Sequence, residues 1–238
     1  MWIRSLMTWM ILVSLSGSLS LALSGCAGGS VDQNDPAQMY KEAEQDIGND
    51  RYQLAIDKLR VIRNKYPYSK SAVDAQLRIA DVFFLQESYA EAAIAYESFR
   101  DLHPKHERVG YAMFRIGKSY FNDIPNTVAR DLTPAQKSLD AFNEFLRRFP
   151  EAAEVAEARQ GANDSRKILA DKELYIGDFY YKRDFYRSAR DRYLKLVQLY
   201  PETDAAGKAK QKLDLIAKRG LLPEEKEAPP SGGSAGTY

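Results

Sequence analysis

Cysteine, histidine and net charge are scarce in this chain of 238 residues, and each scarcity excludes a class of protein. The single cysteine, Cys26, rules out an intrachain disulfide. The formal net charge of +1 argues against a nucleic-acid binder, which normally carries a basic stripe. The two histidines, His103 and His106, flank a proline without a nearby cysteine or an HExxH pattern. We therefore expect a surface or packing role for them and no metal site.

Motifs for catalysis are also missing from the sequence. No Gly-rich phosphate loop follows a predicted strand, because the chain contains no strand-type pattern. Carboxylate pairs are numerous, but on a charged helical surface such pairs are usually solvated. We predict that the protein is not an enzyme and uses no cofactor.

The longest apolar run lies at the N-terminus, over residues 9–23, and is typical of a secretory signal because it is short and contains serines. It leads into Leu23-Ser24-Gly25-Cys26, which resembles the bacterial lipobox, where the signal is cleaved before a cysteine that becomes lipidated. The alternative is an ordinary signal peptide followed by an unrelated thiol. We predict a signal peptide at 1–25, a lipid anchor on Cys26 and a polar tether at 26–35.

Small residues, aromatic residues and prolines recur after the tether at the spacing of tetratricopeptide repeats. Ala80 is followed twelve residues later by Ala92, and then by Tyr96 and Pro104. The small residues let two antiparallel helices approach closely, and the proline ends the second helix. The pattern predicts an all-α superhelix over residues 36–218, with four helical hairpins and a C-terminal capping helix.

Two insertions interrupt the regular period. The small residues of repeat three, Gly117 and Ser138, are 21 residues apart, which places an inserted loop at 122–133. We expect the helix after this loop to begin with a capping box at Thr133 to Gln136. The insertion in repeat four keeps helical register and predicts one long first helix, at about residues 152–182. The tail at 219–238 is rich in Pro, Gly and Ser and is predicted to be disordered.

The first helix of each hairpin is expected to line the concave groove of the superhelix. Its predicted inner positions are aromatic with scattered charges, which suits an extended peptide that carries aromatic side chains. The opposing interpretation is that some of these aromatics fill the core between repeats. The candidate groove residues are Tyr40, Leu77, Phe84, Tyr111, Phe114, Lys118 and Phe121.

The lipobox and the repeat array together resemble the BamD family, also called ComL, of lipoproteins for outer-membrane β-barrel assembly. The resemblance lies in residues 64–84, 103–121 and 130–150, and it covers about residues 35–215. It implies a non-enzymatic scaffold subunit of the barrel-insertion machinery, on the periplasmic face of the outer membrane and held there by its lipid anchor. Residue 27 is Ala and not Asp, which resembles the signal for sorting to the outer membrane.

The resemblance also implies partners. In that family the N-terminal repeats bind unfolded barrel proteins, and the C-terminal repeats dock the POTRA-bearing barrel subunit, beside other assembly lipoproteins. An arginine in the second helix of the last full repeat contributes to docking and matches Arg192 by position; Arg190 and Tyr181 are further candidate docking residues. The alternative is another tetratricopeptide envelope lipoprotein. A pilus-assembly protein usually lacks the long loop, and a Tol–Pal-associated factor usually has a coiled-coil N-terminus, which is missing here.

Overall fold

The computed structural model describes residues 35–222, and this range folds as consecutive antiparallel helices without a β-strand. Cys26, the predicted signal peptide, most of the predicted tether and most of the predicted tail lie outside the described residues. The helices are α1 (Pro36–Gly48), α2 (Tyr52–Lys65), α3 (Lys70–Leu85), α4 (Tyr89–Leu102), α5 (Val109–Asn122), α6 (Thr133–Arg148), α7 (Val155–Tyr181), α8 (Tyr186–Leu199) and α9 (Asp204–Lys218). The predicted all-α repeat architecture is confirmed.

Four hairpins follow one another along the chain, and each packs against the next. They are α1 with α2, α3 with α4, α5 with α6, and α7 with α8, while α9 covers the last hairpin. First helices of successive hairpins also touch, α1 against α3 and α5 against α7. The core is divided in the same way, into one buried apolar cluster for each repeat. This serial packing leaves the first helices side by side on one wall of the solenoid.

The small residues that define the repeat lie where the two helices of each hairpin cross. All of them are buried: Ala43 and Ala55, Ala80 and Ala92, Gly117 and Ser138, and Gly177 and Ala189. The hairpin turns of repeats one, two and four place a residue in the left-handed region at the same point, with φ of 57° at Asp50, 61° at Glu87 and 63° at Asp184. The repeated units therefore share the backbone conformation of their turns as well as their helices.

The long helix α7 continues through Gly161, and an aromatic ring packs directly against the backbone of that glycine. A Cβ on Gly161 would lie 2.4 Å from the ring of Phe142, and a Cβ on Gly117 would lie 2.6 Å from the same ring. The buried Ser165 hydroxyl donates to the Ser138 hydroxyl at 3.0 Å, and Ser138 donates to the Gly117 carbonyl at 3.0 Å. Two glycines and two serines thus bring α5, α6 and α7 into close contact.

Side-chain caps begin three of the helices. Asp35 accepts from the Ala37 N–H at 2.9 Å, Ser69 from Ala72 at 3.1 Å, and Thr203 from Ala206 at 3.3 Å. These contacts satisfy backbone donors that have no partner inside the helix.

The predicted capping box at Thr133 is wrong. Helix α6 already includes Thr133, and its N-cap residue is Leu132, which has no side-chain cap. The Asp131 carboxylate accepts from the Thr133 N–H at 3.0 Å and from its hydroxyl at 2.8 Å. The Gln136 side chain donates instead to Asp140, one turn later on the surface. The Thr133 hydroxyl thus donates to a carboxylate, and the Gln136 N–H donates to the Leu132 carbonyl at 3.3 Å and not to the threonine.

The inserted loop runs from Asp123 to Leu132 between α5 and α6. Leu132 is buried, and the Lys172 ammonium of α7 donates to the Arg130 carbonyl at 2.7 Å. The buried Leu132 side chain and this hydrogen bond therefore help to attach the loop to the array.

Candidate peptide-binding groove and docking surfaces

The predicted groove residues divide into an accessible set and a buried set. The accessible set, which keeps part of its side-chain surface, consists of Tyr40, Phe84, Tyr111, Lys118 and Phe121. Leu77 is only 1% exposed and Phe114 only 5%, each within an apolar cluster. We therefore remove Leu77 and Phe114 from the candidate groove, because packing between the hairpins leaves their side chains no surface for a ligand.

Asp81 of α3 is the centre of a polar cluster that joins repeats two and three. Its Oδ1 accepts from the Tyr96 hydroxyl at 2.6 Å and from the Tyr111 hydroxyl at 2.8 Å. Its Oδ2 lies 3.6 Å from Arg78 Nη1 and 4.0 Å from Arg108 Nη2. Two hydroxyl donors and two nearby guanidinium groups keep this buried carboxylate compensated.

Arg115 of α5 lies beside this cluster, and sequence reasoning missed it. Its Nε donates to the Tyr96 hydroxyl at 3.1 Å, and its guanidinium carbon lies 3.7 Å from the centre of the Phe84 ring. The rings of Tyr96 and Tyr111 are 5.6 and 5.7 Å from the same carbon. The one available signal was positional, because Arg115 stands two residues before the small residue of its repeat, as Arg78 does before Ala80.

Ion pairs between successive first helices flank the Asp81 cluster. On one side Arg78 binds Glu44 of α1 with two hydrogen bonds of 2.7 Å each. On the other side Lys118 of α5 pairs with Glu157 at the start of α7. Pairing of this kind sets the relative position of neighbouring repeats along the groove wall.

The tyrosines along the predicted groove wall are held in their neutral form. Burial and the charge of Glu44 raise the pKa of Tyr40 to about 12. Burial, together with the charge of Asp81, raises the pKa of Tyr96 and of Tyr111 above the ordinary tyrosine value. Both hydroxyls therefore remain hydrogen-bond donors to Asp81 near neutral pH.

Repeat four contains a counterpart of the Asp81 cluster. The Tyr193 hydroxyl donates to Asp178 at 2.7 Å, and burial and this hydrogen bond raise the pKa of Tyr193. Tyr181 packs edge-on against Tyr186, and the Lys212 ammonium lies 4.6 Å from the Tyr181 ring centre. The candidate docking residue Tyr181 thus occupies the place that Phe84 has in repeat two.

The two candidate docking arginines do not share one surface. Arg192 Nη1 lies 3.2 Å from Glu173 Oε2, a largely buried carboxylate of α7 that Lys195 also contacts at 2.6 Å. Arg190 instead contacts the neighbouring Asp191 at 3.0 Å. Residues two apart on a helix point in different directions, so Arg190 and Arg192 belong to different faces of α8.

The two histidines lie in the turn after α4 and pack on the same ring. The ring centres of His103 and His106 are 5.1 and 5.3 Å from that of buried Phe99. His103 Nε2 lies 2.9 Å from the Gln76 side-chain oxygen. Burial and the neighbouring His106 lower the pKa of His103. The predicted packing role is confirmed.

Residues 35–222 contain neither a metal-ligand cluster nor a helix that could cross a membrane. No group of three or more His, Cys, Asp or Glu side chains converges there as metal ligands. Likewise, none of the helices in that range combines the length and apolar composition needed to span a bilayer.

Fold and side-chain geometry together define a tetratricopeptide-type repeat protein whose first helices carry polar and aromatic side chains. The YfiO family model, described as an outer membrane lipoprotein, matches residues 32–228, and the chain belongs to this family. The resemblance to the BamD family inferred from the sequence is confirmed.

Two relatives, both named outer membrane protein assembly factor BamD, show how similar the sequences are. The protein from Neisseria meningitidis serogroup A is 29% identical over 208 residues, covering 80% of this chain and 78% of the relative. The Vibrio cholerae protein is also 29% identical over 208 residues, covering 82% and 86%.

Solved structures of other repeat proteins are similar at a coarser level. MamA from Desulfovibrio magneticus has 17% identity and a TM-score of 0.39, covering 72% of this chain and 79% of its own. A Podosopora anserina putative kinesin light chain with TPR-like repeats has 15% identity and a TM-score of 0.41, covering 82% and 100%.

Proposed function

We propose that this chain is a non-enzymatic scaffold subunit of the machinery that assembles β-barrel proteins into the outer membrane. Its N-terminal repeats bind unfolded barrel substrates, and its C-terminal repeats dock the POTRA-bearing barrel subunit beside other assembly lipoproteins. A lipid on Cys26 holds it at the periplasmic face of the outer membrane. The relatives named for outer membrane protein assembly support this general role.

The observation that carries the substrate-binding part is the accessible wall around Asp81. Phe84 and Tyr111 offer aromatic surface there, and their polar neighbours are already fixed by hydrogen bonds. An unfolded barrel segment alternates its side chains with a period of two, so one of its faces can present aromatic residues to such a wall. A rigid wall binds an extended chain at a lower entropic cost than a mobile one does.

Substrate binding is tested with the variant Phe84→Ala. We expect weaker binding of an unfolded barrel protein to the purified lipoprotein, because the ring stacked on Arg115 is lost. The matched control is Ile94→Ala on α4, which also removes an exposed apolar side chain, 63% exposed, but from a second helix. Equal affinities of the two variants and the wild type would exclude this part of the groove.

Docking is tested by affinity purification of the lipoprotein from detergent-solubilised envelopes. We expect a POTRA-bearing barrel protein to copurify with the wild type and to be reduced by Arg192→Ala. Lys195→Ala is the control, because it removes the other cation that contacts Glu173. If both variants lose the partner equally, Arg192 acts through Glu173 and not through direct docking.

Anchoring is tested with Cys26→Ser. Without the thiol no lipid can be attached, and we expect the protein to leave the membrane fraction. Continued membrane association of this variant would contradict the lipid anchor.

A further inference from the structure

The turn between α2 and α3 carries a tyrosine that the fold does not use. Tyr68 is 102% exposed and directly follows Pro67, the closing proline of repeat one. The residues after the closing prolines of the other three repeats are charged: Lys105, Glu151 and Glu202. A single exposed ring is common on protein surfaces, so the surroundings of Tyr68 decide whether it marks a contact.

The residues around Tyr68 carry positive charge and no negative charge. The interval from four residues before Pro67 to three residues after it has three exposed cations and no acid: Arg63, Lys65 and Lys70. The same interval around Pro201 has two acids and no cation, and the two middle turns hold both signs. The inter-repeat turns thus change from positive at the first repeat to negative at the last.

The predicted tether enters the array on the same edge as this basic turn. Because α1 and α2 are antiparallel, Pro36 and Lys65 lie at one edge of the solenoid, and the hairpin turn at Asp50 lies at the opposite edge. The predicted lipid on Cys26 is nine residues before the first described residue, and even a fully extended chain of that length spans only about 30 Å. An anchor at Cys26 would therefore keep the edge that carries Tyr68 close to the membrane surface.

We propose that the basic turn, residues 63–70, is a membrane-contact site for anionic phospholipid headgroups. Its cations are attracted to the negative surface, and the Tyr68 ring enters the headgroup layer, where aromatic side chains are favoured. This inference rests on the proposed lipid anchor and adds to it the edge of the array that faces the bilayer. Anionic lipid is favoured over an acidic protein as the occupant, because the anchor already brings this edge to the bilayer.

The first test is a fluorescence measurement on the full lipidated protein in vesicles. Both tryptophans of the sequence, Trp2 and Trp9, lie in the predicted signal peptide, so Tyr68→Trp places a single indole in the mature protein. We expect its emission to lie at shorter wavelength in vesicles of phosphatidylcholine mixed with phosphatidylglycerol than in phosphatidylcholine alone, and high salt should reverse this shift. The same emission in both kinds of vesicle would overturn the proposal.

The matched control for this probe is Phe185→Trp. The Phe185 side chain is also exposed, at 58%, but it lies in the hairpin turn of repeat four, on the opposite edge of the solenoid. Its emission should be the same in both kinds of vesicle. An equal shift at the two positions would also count against the basic turn, because the contact would then not belong to one edge.

The second test measures the charge contribution without the acyl chains. Cosedimentation of the mature chain carrying Cys26→Ser with phosphatidylglycerol vesicles reports on the protein surface alone, and this binding should be weak. Adding Arg63→Gln and Lys70→Gln should weaken it by about tenfold, since each cation near an anionic surface contributes to the attraction. Adding Lys208→Gln and Lys210→Gln instead, which removes two exposed cations of α9, should have little effect.

The results separate this site from the anchor and from a protein partner. If Arg63→Gln and Lys70→Gln leave vesicle binding of the Cys26→Ser chain unchanged, the membrane-contact site is wrong, whether or not fractionation confirms the anchor. If they leave vesicle binding unchanged but remove a protein that copurifies with the lipidated chain from solubilised envelopes, the basic turn docks an acidic protein and not lipid.

Discussion

Repeats two and four share one hairpin motif in two different surroundings. In both, an aspartate after the small residue of the first helix accepts from a tyrosine hydroxyl of the second helix, Asp81 from Tyr96 and Asp178 from Tyr193. Both also pair two rings edge-on across the turn, with centres 5.1 Å apart for Phe84 and Tyr89 and 5.4 Å for Tyr181 and Tyr186. The hairpin itself therefore specifies these contacts.

The following helix makes the difference at the groove. After repeat two, α5 supplies Tyr111 as a second donor to Asp81 and Arg115 as a partner of the Tyr96 hydroxyl. After repeat four, the corresponding positions of α9 hold Lys208, which is exposed, and Lys212, which lies over Tyr181. The surroundings of this aspartate thus depend on which helix comes next, and of these two repeats it is repeat two that receives hydroxyl and guanidinium donors from the following helix.

The helices that come before each repeat cause the second difference between repeats two and four, which is the burial of the position after the aspartate. Val82 is fully buried against repeat one, whereas Phe179, at the same position of repeat four, is 43% exposed. The extension of α7 is the cause, because repeat three packs against its added first part, around Ala158 and Ala162. The second part of α7 is left with an open side, so a face that is core in one repeat is surface in another.

The largest expected difference between the two repeats concerns their tyrosines. Tyr96→Phe removes one donor from buried Asp81 and the acceptor of Arg115, and should lower the free energy of unfolding by about 2–3 kcal/mol. Tyr193→Phe removes one donor from the more exposed Asp178 and should cost about 1 kcal/mol. Urea unfolding of both variants measures the difference, and equal losses would contradict the role assigned to α5.

The next largest expected difference between repeats two and four concerns the side chains at the position of Val82 and Phe179, which face the preceding repeat. Val82→Ala leaves a cavity between repeats one and two and should cost about 2 kcal/mol. Phe179→Ala removes a larger side chain but only surface contacts, with Arg183, whose guanidinium carbon is 4.1 Å from the ring centre, and edge-on with Tyr180 at 5.7 Å, and it should cost under about 1 kcal/mol. A larger loss for Phe179→Ala, measured by urea unfolding, would mean that the second part of α7 is covered.

The distance between the two helices of a hairpin gives a smaller expected difference between repeats two and four. A Cβ on Gly177 would lie 2.4 Å from the Tyr193 ring, whereas repeat two has Ala80 at this position. We expect Gly177→Ala to lose about 1–2 kcal/mol on urea unfolding, because crowding exceeds the gain in helix propensity. The control, Gly207→Ala in α9, meets no atom within 4 Å and should be stabilising. Stabilisation in both variants would show that α7 and α8 can move apart.

The smallest expected effect is the acid sensitivity of repeat two, which has His103 where repeat four has Tyr200. Burial lowers the pKa of His103 in the folded chain, so the unfolded chain binds its proton first as the pH falls. The contribution of His103 to stability is present above the unfolded pKa, about 6.5, and is lost as the pH falls through the folded pKa. The change in urea midpoint between pH 7.5 and pH 5 should be smaller for His103→Gln than for the wild type, and an identical change would refute this.

Spacing in the sequence was sufficient for the hairpins but not for the groove. The interval from Ala80 to Ala92 predicted both helices and their crossing, because close approach requires small residues there. Leu77 and Phe114 were placed in the groove by repeat position alone, and both are core residues because neighbouring hairpins press against them. Arg115 was missed because it has the same repeat position as Arg78. The two arginines differ only in their partner from the preceding repeat, which is Glu44 for Arg78 and the Tyr96 hydroxyl for Arg115.

Gly161 shows a related limit, because the spacing predicted the long helix but not the role of this glycine. Glycine lowers helix propensity, and only the structure shows that the Phe142 ring occupies the space that a side chain on Gly161 would need. The start of α6 could not be read from the pattern either, since Thr133 and Gln136 have the spacing of a capping box, yet the helix begins after Leu132 without a side-chain cap.

The sequence by itself determined the number of hairpins, their turns and the small residues at their crossings, because these depend on contacts within about 34 residues of chain. Tertiary structure alone decided which of the predicted groove aromatics stay accessible and which are core, and which hydrogen-bond partners each charged side chain has. Those properties depend on the neighbouring repeat, whose stacking determines both the solvent exposure and the hydrogen-bond partners of each side chain.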